Sequence, residues 1–155
     1  MPGWDNFFVA EAGAAAALAG LLFVSVSINL TRILQFPTLP WRAAEALLCL
    51  LAVLVVALLA LVPGQSVHAL GVEITVTGVL MWVALSIALA RSDRSQPRRV
   101  LRLLTNQLPP LAFVLAGVLI ILGHPGGIYW MVPGTFLAFA AGVLDAWVLL
   151  IETLR

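Results

Sequence analysis

Charge is what this sequence has least of. Of its 155 residues, 10% are charged, seven acidic and eight basic; an ordinary soluble domain carries roughly 25%. Hydrophobic residues make up 63%. A soluble fold of this length has too little interior to hide that much apolar surface, whereas a bilayer removes the need to hide it. Lysine is missing altogether, so every basic residue is arginine. With the abundance of Ala and Leu, this points to a GC-rich bacterial genome. The net charge of +1 supplies no long-range field to draw in a polyanion, and nucleic acid is not an expected partner. Cys49 is the one cysteine. No disulfide can form within the chain, and the redox compartment cannot be read from it.

Catalytic signatures are also lacking. There is no H-E-x-x-H, no CxxC and no G-x-S-x-G. The turn GHPGG at 123–127 lacks the Lys and Ser/Thr of a phosphate loop. No nucleophile, base and orienting group occur together in a recognisable pattern. The sequence therefore predicts no enzyme, no metal and no cofactor. No internal repeat is visible, and no hydrophilic segment is long enough for a soluble domain.

What the sequence does have is long apolar runs. A membrane-crossing helix needs about 20 such residues. Five segments qualify: 7–30, 41–62, 69–90, 103–122 and 130–151. The stretch AEAGAAAALAG resembles a cleavage region, but a signal peptide opens with positive charge. Here Asp5 and Glu11 lie near the start instead, so a retained first helix is expected. Pro109 and Pro110 interrupt the fourth segment and leave the carbonyls of Thr105 and Asn106 without their usual donors. One kinked span is the preferred reading. In the four-span alternative, 97–107 lies along the membrane surface. The fold class is thus all-α: a polytopic transmembrane helical bundle, one integral membrane domain over 1–155.

Arginine then orients it. Basic residues accumulate in cytoplasmic loops. With five spans, the N-terminus outside and the C-terminus inside, all eight arginines fall on the cytoplasmic side. The loop 91–102, RSDRSQPRRVLR, holds five of them. Lacking aromatic residues for base stacking, it reads as a topological marker, and Arg94, Arg98, Arg99 and Arg102 as sites for anionic lipid or a docking partner. The expected location is a bacterial inner (plasma) membrane, crossed several times. The expected partners are the lipid bilayer and either further copies of the chain or a larger membrane complex.

Acids inside the spans are the candidate functional residues. Each costs about 2.5–3.5 kcal/mol to insert at a helix centre, so such groups face protein or water. Topology puts Glu11 and Glu73 toward the outer face, and Glu45 and Asp145 toward the inner, with Glu152 at its rim. At 100° per residue, Glu11, Leu18, Ser25 and Asn29 share one side of the first span, with Gly13, Ala17, Gly20 and Val24 opposite. That pattern predicts a helix enclosed on both sides. In the fifth span Gly134, Ala138, Ala141, Asp145 and Glu152 share a side, and Asn29, Ser25 or Arg32 are the expected partners of Asp145. Glu45 is expected to pair with Arg42, three residues back. Glu11 and Glu73 are expected to be neighbours at an outer mouth, near His68 or His124. Trp4, Trp41, Tyr129 and Trp130 fit interfacial belts, and Trp82 and Trp147 fit packing inside the bundle.

Two functions follow. The first, slightly preferred, is proton or cation permeation along Glu11, Glu73, Asp145 and Asn29. The second is a non-catalytic accessory or assembly subunit, with the acids joining helices and the arginine loop docking a partner.

Overall fold

The computed structural model describes residues 3–91 and 99–154. Arg94 and Arg98 lie outside the described residues, as do the side chains of Arg99 and Glu152. Among the described residues the chain is helical between its turns. The order is α1 (Asp5–Ile28), α2 (Leu30–Ile33), α3 (Leu39–Ala60), α4 (Val67–Arg91), α5 (Arg99–Ile121), a 3-10 turn (Gly127–Trp130) and α6 (Met131–Leu154). Five helices are long and apolar enough to cross a membrane.

Local chemistry sets most of the boundaries. Pro40 lies in the first turn of α3, where its missing N–H would have had no partner anyway. The connection after α3 contains Gly64 at φ +73, a left-handed backbone that glycine adopts without strain. The Ser66 hydroxyl accepts the Ala69 N–H at 3.1 Å and so caps the start of α4. At the end of α5, Gly123 has φ +72. There the His124 N–H reaches the Leu119 carbonyl, and the Gly123 N–H reaches that of Ile120. This pair of bonds is a Schellman closure, which satisfies carbonyls the helix would otherwise leave open.

α5 runs without a break through Pro109 and Pro110. Both prolines are buried. The Thr105 hydroxyl turns back to the Arg102 carbonyl at 3.2 Å.

α4 and α5 lie against each other antiparallel and very close. A Cβ placed on Gly117 would meet the Thr75 hydroxyl and lie 2.6 Å from the Gly71 carbonyl oxygen. One placed on Gly78 would lie 3.1 Å from the Pro110 carbonyl. Small residues are what allow such a backbone approach. The Gly134 side of α6 packs as the sequence predicts: Gly134, Ala138, Ala141 and Asp145 are all buried, with Gly134 against Phe113 and Gly142 against Leu50. The central core is Val53, Val56, Ile74, Leu85, Phe113, Ala116, Met131 and Ala138.

α1 departs from expectation. Phe8, Glu11, Ala15, Ala19 and Leu22 face the bundle. Gly13, Ala17, Gly20 and Val24 are exposed, and nothing approaches Gly13 or Gly20 within 4 Å. The helix is peripheral, packed on one side only. Trp82 and Trp147 also differ, being exposed on the outer surface. In an apolar chain, hydropathy does not distinguish a side facing lipid from one facing the core, and so neither orientation was legible.

Candidate functional site

The densest polar chemistry lies where α3, α5 and α6 meet. Glu45 is fully buried, at 0% exposure. Arg102 grips it with two parallel bonds, Nε to Oε2 at 2.9 Å and Nη2 to Oε1 at 2.6 Å. This fork geometry is the strongest form of carboxylate pairing. The amide of Asn106, one turn further along α5, donates to Glu45 Oε2 at 2.8 Å and to Asp145 Oδ2 at 3.5 Å. Asn106 is itself buried. Three helices are thus tied together by one network.

Several expectations change here. Glu45 is gripped by Arg102, 57 residues away, which adds to the charge of Arg42, three residues back in its own helix. The side chain points into the bundle, where α5 offers both a guanidinium and an amide. Asp145 meets Asn106 of α5, not Asn29, Ser25 or Arg32 of the first span. Asn29 instead donates to the Ser25 carbonyl at 2.9 Å, and Arg32 is exposed. Arg102 is buried and paired with Glu45 within the bundle. Arg91, at the end of α4, lies over the ring of Trp41 at 5.0 Å, a cation–π contact near the same end of the bundle.

The other two acids sit at the opposite end, apart from each other. Glu11 accepts a hydrogen bond from the Thr135 hydroxyl of α6. Glu73 accepts one from the Gln65 side-chain amide. The expected carboxylate pair is therefore replaced by two separate sites. Thr77 turns back to the Glu73 carbonyl at 2.8 Å. His68 and His124 are both exposed, and the His124 ring accepts the Gly126 N–H at 3.4 Å. Outward of Glu11, the rings of Trp4, Phe7, Phe8 and Tyr129 pack on one another, with Trp4 to Tyr129 at 5.1 Å.

Apolar core separates the two ends. Along α6, the buried Ala138 and Ala141 lie between Thr135, which meets Glu11, and Asp145, which meets the Glu45 network. A groove of about 310 Å³ opens between α1 and α6, walled by Leu18, Leu22, Ile33, Trp147 and Leu150, with Asn29 also in its lining. No cluster of three or more His, Cys, Asp or Glu with metal-binding geometry occurs among the described residues.

Sequence reasoning missed Asn106 and Thr135. Both are ordinary polar residues within apolar helices. The available signal was cost: a buried amide or hydroxyl in a membrane helix needs a partner, and the unpaired acids were the obvious ones.

The fold and these sites define a class, an all-helical protein with five membrane-length helices. No protein family, curated protein or solved structure matches the chain.

Proposed function

We propose that this chain is a non-catalytic component of a larger membrane assembly, a helical bundle that acts by lateral association. One observation carries this reading. The embedded charges at the Arg102 end are met by other helices of the same bundle, and along α6 the buried Ala138 and Ala141 separate Asp145 from Thr135, the partner of Glu11. Groups placed to conduct would keep polar atoms facing a continuous path; here they tie helices together. The outward side of α1 is where a second membrane helix has room to pack, since Gly13 and Gly20 have no neighbour within 4 Å. The arginine-bearing end is assigned to the cytoplasm by the positive-inside rule, and a bacterial inner membrane is the proposed location.

The test is purification from native membranes in a mild detergent, with Gly13→Leu/Gly20→Leu beside the wild type. These positions touch nothing within the bundle, so the variant should unfold at the wild-type temperature. A stoichiometric membrane partner, or a defined homo-oligomer, that dissociates in the variant supports the proposal. A wild type that runs as a single copy, indistinguishable from the variant, refutes it.

Permeation along Glu11, Glu73, Asp145 and Asn29 is the second reading. What favours it is Glu11, whose Oε2 is buried without a hydrogen-bond partner. Proton and sodium flux in proteoliposomes decides the matter. Identical flux in the wild type, Glu11→Gln, Glu73→Gln and Asp145→Asn removes this reading.

A further inference from the structure

We propose that Glu11 and Thr135 form a binding site for one monovalent cation, a proton or an alkali metal ion, enclosed between α1 and α6. The inference requires neither functional reading, because the ion need not cross the membrane.

The geometry is that of an incomplete polar site. Glu11 is 4% exposed and Thr135 is 2% exposed. The Thr135 hydroxyl donates to Oε1. Oε2 is buried and has no hydrogen-bond partner. The same side of α1 presents Phe8 and Ala15, both buried. One turn outward the aromatic rings close over the end of the helix. No guanidinium or imidazole among the described residues makes an ion pair with Glu11, in contrast to Glu45, whose charge is met by Arg102.

Two deficits therefore coincide at one atom. An ionised carboxylate in such surroundings lacks a counter-charge, and Oε2 lacks a hydrogen-bonding partner. A single water would remedy only the second. One positive charge at Oε2 removes the first, whether it arrives as a covalently held proton or as a bare ion. The charge must be single. A divalent ion would leave net positive charge in an apolar pocket.

Infrared difference spectroscopy on the purified full-length protein tests this, as wild type minus Glu11→Gln in choline, sodium and potassium chloride. A protonated-carboxyl stretch present in the wild type and lost in Glu11→Gln identifies the bound proton. Carboxylate bands that differ between choline and an alkali salt identify the metal ion. Carboxylate bands identical in all three salts mean a bare anion and overturn the proposal. If Glu11→Gln does not fold, Thr135→Val supplies the difference. Removing the hydroxyl must shift the Glu11 band, and the same three outcomes then apply. An unshifted band also overturns the proposal, because Thr135 would not be part of the site.

Discussion

Replacing Arg102 by alanine should be among the most damaging single changes in this protein. The guanidinium supplies two of the three hydrogen bonds to Glu45, at 2.9 and 2.6 Å. Without it, a carboxylate with no solvent exposure keeps the Asn106 amide at 2.8 Å and the charge of Arg42, one turn back. Removing one member of a buried ion pair costs about 3–5 kcal/mol. For a chain of this size, each kcal/mol shifts the midpoint of thermal unfolding by about 2–4 °C. The expected loss is therefore about 6–20 °C, read from tryptophan fluorescence in detergent at a fixed scan rate. Removing both charges should be milder. In Glu45→Leu/Arg102→Met the uncompensated charge is gone. What remains is Asn106, left with its long bond to Asp145, at a cost of about 1–3 kcal/mol. The double variant should thus be more stable than Arg102→Ala alone. An Arg102→Ala midpoint within about 2 °C of wild type, or a double variant whose loss equals the sum of the two single losses, would refute the assignment of the network.

Gly117→Ala should destabilise by about 1–3 kcal/mol, as overpacking does, because its Cβ would press on the Thr75 hydroxyl and the Gly71 carbonyl. Gly20→Ala should be stabilising by up to about 1 kcal/mol, since no atom lies within 4 Å; midpoints of the two variants should fall on opposite sides of wild type. Trp82 and Trp147 are exposed on the outer surface, as is Trp130 nearer one end, so bilayers brominated deep in the acyl chains should quench their fluorescence, and Trp82→Phe/Trp147→Phe should reduce that quenching; undiminished quenching would place other tryptophans against lipid. After Cys49, which is buried, is replaced by Ala, single cysteines at Gln65 and Gly126 should react with an impermeant thiol reagent from outside intact cells and one at Ser95 should not. Labelling at all three positions, or at Ser95 alone, would overturn the orientation.

The helices were legible because what makes them is local. A span needs a run of apolar residues of about the hydrocarbon thickness, and its ends need turn chemistry such as Pro63-Gly64, Ser66 or Gly123. These are properties of neighbours in sequence. Even the double proline of the fourth segment did not mislead: a helix continues through it, buried beside the Gly78 side of α4. The presence of costly groups was legible in the same way, since Glu11, Glu45, Glu73 and Asp145 stand out against apolar surroundings.

Which groups meet was decided only by the tertiary structure. From sequence, Arg42 was the natural partner for Glu45, one turn away. The folded chain adds Arg102 and Asn106, because α5 lies where the Glu45 side chain points. Gly13 and Gly117 tell the same story from the packing side. Both are small residues in apolar helices, and nothing local separates them. One faces open space, and the other is crossed by the backbone of α4. Helical phase shows which residues share a side, but not which way that side turns. In a bilayer, lipid and protein core are equally apolar, so the rotation of each helix is set by the shape and hydrogen bonds of its neighbours, which exist only once the bundle has assembled.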